Sequence, residues 1–108
     1  MDHRDFVEKK RKEMVSIARD MLDGKLNLIE GVRNICLLRS AIGDMDNELF
    51  SPFSAMDSET DHFPTGEVRS RFAIDKLQQL DRELESYLKS ARDEILDACK
   101  KLIRHYSP

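Results

Sequence analysis

Residues 73–105, AIDKLQQLDRELESYLKSARDEILDACKKLIRH, decide the fold. Ile74, Leu77, Leu80, Leu84, Tyr87, Leu88, Ala91, Ile95, Ala98, Cys99 and Leu102 recur at spacings of three and four, and Tyr106 continues the rhythm. That is the period of one face of an α-helix. Neither Gly nor Pro interrupts it. At the helical rise the predicted helix is about 50 Å long.

Two shorter helices precede it. The first runs from about Arg4 to Asp23, with Phe6, Lys10, Met14, Ile17 and Met21 on one stripe. Asp2 is its candidate N-cap, and Gly24 suits the left-handed position after its end. The second opens on Asn27 as N-cap, with Glu30 three residues later in a capping-box spacing. Leu28, Ile29, Val32, Ile35, Cys36, Leu38 and Ile42 give it a broad apolar face, which predicts the most buried helix of the domain. Gly43 stops it. Gly31, inside this helix, costs about 1 kcal/mol relative to Ala. It is either a tolerated residue or the mark of a close approach by the 50–64 segment or another helix.

The two short helices span about 30 and 24 Å and cannot cover the third as a hairpin. The rest of its stripe must meet the intervening segment or a second copy of the chain. The reading is therefore all-α: an antiparallel three-helix bundle, one domain over residues 1–108, with a long ordered acidic loop between helices 2 and 3 and a homodimer through helix 3.

That loop concentrates the unusual chemistry. From Asp44 to Val68 there are seven acidic residues and no Lys or Arg. The flanking parts, residues 1–43 and 69–108, each carry nine basic and seven acidic residues, within a net charge of −3. Phe50, Phe53, Met56 and Phe63 argue against disorder and predict anchoring on the helices. Pro52 and Pro64 bias Ser51 and Phe63 toward extended backbone. One short helical turn is expected at Asp46–Phe50 or Pro52–Met56, and a separate turn at about Glu67–Phe72.

Composition limits the function classes. Lys9-Lys10-Arg11-Lys12 invites a nucleic-acid reading, but consecutive helical residues point in all directions and Asp5, Glu8 and Glu13 stand at pairing distance. With the acidic segment this makes nucleic acid a poor partner. The longest apolar run, Ile35–Leu38, is one helical turn, so no membrane span is expected. The start of the chain lacks an apolar signal core. Cys36 and Cys99, far apart in apolar patterns, read as buried free thiols in the cytoplasm rather than a disulfide.

Asp57-Ser58-Glu59-Thr60-Asp61-His62 is the nearest approach to a chemical motif. As a calcium loop starting at Asp57 it fails twice, placing His62 where Gly is needed and Val68 where the last Glu is needed. A transition metal would want more nitrogen or sulfur than His62 offers, so no metal and no cofactor is assigned. No nucleophile, base and orienter can be identified together, so no catalytic residue is assigned. Two uses remain. The acids can latch onto Arg33, Arg39, Arg69 or Arg71, or they can present a surface to a basic groove on another protein.

Leu28-Ile29-Glu30-Gly31-Val32-Arg33 and Ser58-Glu59-Thr60-Asp61-His62-Phe63-Pro64, with Gly66 and Arg69, resemble a family of small uncharacterised bacterial helical proteins. The resemblance runs from the second helix to residues 98–103. It implies a bacterial cytosol and carries over no catalytic or binding residue. The expectation is a non-enzymatic protein-interaction module of the immunity or regulatory type. Asp57, Glu59, Asp61 and His62, with Arg33 and Arg69, form its contact surface or latch. The alternatives are a small-molecule or metal-dependent site made by the same carboxylates and His62 with Glu30 and Arg33, and a purely structural helical dimer.

Overall fold

Four α-helices close a ring in which each packs on the next: α1 (His3–Leu22), α2 (Leu28–Ile42), α3 (Ser51–Thr60) and α4 (Ile74–Tyr106). Short 3-10 helices at Glu48–Phe50 and Gly66–Arg71 flank α3. The computed structural model describes residues 2–44 and 47–107, and among these there is no strand. Asp46, the expected start of one turn, lies outside the described residues.

The direction of each helix follows from who meets whom. Met21 fits against Gly31 and Val7 lies near Ile42, so α1 and α2 are antiparallel. Arg39 reaches Ser54 and Arg33 reaches Thr60, so α3 runs back along α2. Pro52 lies beside Ala98, and Glu59 meets Tyr87, so α4 opposes α3. Arg11 lies over the Tyr106 ring at 5.5 Å and Cys99 Sγ is 3.8 Å from Met21 Sδ, which makes α4 antiparallel to α1 as well. The result is an up-down-up-down bundle.

The three helices read from periodicity stand within one residue of their expected ends, and Asp2 and Asn27 act as the expected N-caps. The Asp2 carboxylate accepts from Asp5 N at 2.9 Å, and Asn27 Oδ1 accepts from Ile29 N at 2.8 Å. Gly43 ends α2 at φ 74°, a left-handed backbone that a side chain disfavours. At Gly31 it is α1 that approaches: a Cβ there would lie 2.6 Å from Met21 Cγ and nearer still to Sδ.

The fold differs from a three-helix bundle with an acidic loop at one place. Residues 51–60 are helical, so the bundle has four members. Pro52 sits in the first turn of α3, where its missing N–H costs nothing and its fixed φ favours the helix. Phe53, Met56 and Thr60 form the buried stripe, and the Thr60 hydroxyl satisfies itself on Met56 O at 2.6 Å. Phe50, Phe53, Met56 and Phe63 are all buried, as anchors should be. The expected turn near Glu67–Phe72 is the second 3-10 helix.

Candidate functional site

Two arginines hold the end of α3 and the turn after it. Arg33 projects from the middle of α2. It donates from Nη2 to Thr60 O at 2.8 Å and Phe63 O at 2.9 Å, and from Nη1 to Thr65 Oγ1 at 2.9 Å. A helix leaves its last carbonyls without intrahelical partners, and Arg33 supplies one of them together with the turn that follows. Arg69, in the second 3-10 helix, makes a two-pronged pair with Asp81 of α4 at 2.8 and 2.7 Å, and its Nη1 also reaches Pro64 O at 3.4 Å. That geometry is the strong form of a guanidinium–carboxylate contact. It holds the Asp81 carboxyl below its ordinary range.

Arg39, one turn beyond Cys36 on α2, fixes the other end of α3. Its Nη1 donates to Ser54 Oγ at 2.6 Å, and its guanidinium lies 5.8 Å from the Phe50 ring centre. These arginines grip carbonyls, hydroxyls and Asp81, and among the described residues none forms an ion pair with the carboxylates of residues 57–61. Arg71 is exposed.

The acidic side chains diverge. Asp57 is half-buried on the α2 side, where its charge, after burial itself, helps push the Cys36 thiol up to about 11, partly offset by Arg39. Glu59 accepts a hydrogen bond from the Tyr87 hydroxyl of α4. Burial first, and then that carboxylate, raise Tyr87 to about 12. Asp61 and His62 are exposed, 4.0 Å apart, and the His62 ring packs on Phe63 with centres 4.0 Å apart. Glu30 is exposed in the first turn of α2.

Of the residues singled out in the sequence, Arg33 and Arg69 are brought to the same turn, whereas Asp57, Glu59 and Asp61 point to three different surroundings. Among the described residues no group of three or more His, Cys, Asp or Glu is placed to hold a metal ion. Nor is any helix among them long and apolar enough to cross a membrane.

Sequence reasoning missed Tyr87, Asp81 and Thr65. Their partners lie 28, 12 and 32 residues away along the chain, and no local spacing signals such pairs. A second polar tie closes the opposite end of the bundle. The Tyr106 hydroxyl donates to Asp44, which Asn47 Nδ2 also reaches at 3.1 Å, and both hold the Asp44 carboxyl down. In the basic run Lys9–Lys12, Lys10 Nζ lies 3.4 Å from Glu13 and over the Phe6 ring, and Arg11 lies over the Tyr106 ring.

Neither the curated proteins nor the solved structures contain a match to this chain. Residues 3–102 match a family of proteins of unknown function, and the chain belongs to that family, DUF2489.

Proposed function

We propose that this is a non-enzymatic protein-interaction module of the immunity or regulatory type, acting in the bacterial cytoplasm. Its docking surface is the exposed side of α3 and the turn after it, flanked by Asp57 toward α2 and Glu59 toward α4 and ended by Asp61 and His62, the four contact residues. One observation carries the reading. The arginines that hold this turn are committed to backbone oxygens and to Asp81. Among the described residues, Asp57, Glu59 and Asp61 therefore have no Lys or Arg in an ion pair with them. Arg33 and Arg69 are thus the support, and the acids are the presented charge. A partner with a basic surface suits this charge, and complementary potential speeds encounter.

The test is affinity capture from bacterial lysate beside an Asp57→Asn, Glu59→Gln, Asp61→Asn variant of unchanged circular dichroism. The proposal expects one basic protein retained by the wild type, released by salt and absent from the variant. Equal capture by both chains, or capture by neither, overturns it.

A further inference from the structure

The first half of α4 is an arm covered on one side only, where α3 and the second 3-10 helix meet it through Glu59–Tyr87 and Arg69–Asp81. The molecule measures 48 × 29 × 25 Å, and its long dimension matches the length of this one helix, about 50 Å for 33 residues. α1 meets α4 near Cys99 and Tyr106, at the far end. Toward its start, α4 buries Leu80, keeps Leu77 half-buried and Leu84 and Leu88 half-buried against the core, and leaves Ile74 74% exposed. A shallow groove runs along this arm between Asp81, Leu84, Glu85, Leu88, Lys89 and Arg92, every one of them from α4. Ile74, Asp81 and Leu88 lie seven residues apart and share its stripe.

We propose that this face pairs with the same face of a second copy, antiparallel, about a two-fold axis near Tyr87. The charge order along the groove selects this occupant and this direction. Acids come first, Asp81 and Glu85, and bases follow, Lys89 and Arg92. Among the described residues, neither Glu85 nor Lys89 nor Arg92 has an ion pair within its own chain. A two-fold axis across the helix inverts the order, so Glu85 of one copy faces Lys89 of the other, while Arg92 comes to the end where Asp81 already pairs with Arg69. Leu84 then opposes Leu88, and the leucine flank of one copy meets the leucine flank of the other. A parallel pair would set Glu85 on Glu85 and Lys89 on Lys89, which is unfavourable. A self-complementary patch of this kind is the signature of an isologous dimer. It is independent of the acidic face of α3.

Light scattering on the full chain tests the pairing with two charge reversals at exposed positions, Glu85→Lys and Lys89→Glu. Wild type is expected at the mass of two chains. Each reversal alone sets like charges against each other and is expected to weaken association about tenfold, with helical content unchanged. An equimolar mixture of the two variants restores the two-chain mass, because position 85 of each chain then faces an opposite charge at position 89 of the other. The Asp57→Asn, Glu59→Gln, Asp61→Asn variant remains dimeric. A monomeric wild type, single reversals that dimerise like the wild type, or a mixture that stays monomeric each overturn the proposal.

Discussion

Met21 occupies the space that a side chain at Gly31 would need. The contact joins α1 to α2 where both are buried, and the same Met21 sulfur touches Cys99 of α4. Three helices therefore meet over one glycine.

Gly31→Ala is expected to destabilise the fold although Ala is the better helix former. The gain in propensity is about 1 kcal/mol. The clash reaches Cγ of a Met that is 2% exposed, so the side chain cannot simply swing away. Overpacking of this kind costs about 1–3 kcal/mol, leaving a net loss of about 1 kcal/mol. Urea denaturation checks this, and the double-mutant cycle with Met21→Ala should show the two positions coupled.

Arg33→Lys should loosen the turn after α3. A lysine offers a point charge in place of the fork that reaches Thr60 O, Phe63 O and Thr65 Oγ1. The expected loss is about 2 kcal/mol, the range for hydrogen bonds to a charged group. Amide exchange should rise at residues 61–66 and stay unchanged in α1. Equal exchange throughout would show that Arg33 does not hold this turn.

Alkali should unfold the protein through its two tyrosines. Burial and a carboxylate partner raise Tyr87 from 10.0 to about 12, and Tyr106 shifts the same way for the same reasons. A group with a raised folded pKa contributes stability that is complete below the unfolded value, near 10, and is lost as pH rises through the folded value. Denaturation should therefore ease between pH 10 and 12, and Tyr87→Phe should flatten that dependence. Asp44 and Asp81 act at the other end of the scale. Both are held down by hydrogen bonds, so their contribution is present above the ordinary carboxylate range and is lost as pH falls through their folded values.

The cysteines should alkylate slowly at neutral pH, Cys99 most slowly. Burial lifts both thiols to about 11, which suppresses the reactive thiolate. Cys99 is fully covered, whereas Cys36 is half-buried. Modification followed by mass spectrometry should label Cys36 first, with Cys99 labelled only as the protein opens.

The parts of the fold legible in the sequence are those set by local rules. Asp2, Asn27 and Gly43 act within three or four residues of themselves, and the α4 stripe repeats along the whole helix. Of α3 no more than one turn, at Pro52–Met56, is expected from the sequence, because its helix signal is weak. Ser, Asp and Thr are poor helix formers, and Pro52 reads equally as a breaker or as a first-turn residue. The spacing of Phe53, Met56 and Thr60 held the clue, since a buried threonine can complete a helical stripe by bonding back to the carbonyl four residues before it. At the site, Arg33 and Arg69 were legible as charged partners of the acidic stretch. What they hold was not, because backbone carbonyls carry no signature in composition.

The ring closes only when α4 docks, and its Cys99 meets a Met21 that was made 78 residues earlier. While the chain is being synthesised, α1, α2 and α3 must leave the ribosome with Met14, Met21, Phe50 and Phe53 still lacking the wall that covers them. Completion of the core is thus a late event, and a chain stalled before Ile95 would expose a sticky, half-built face to the chaperones of the cell.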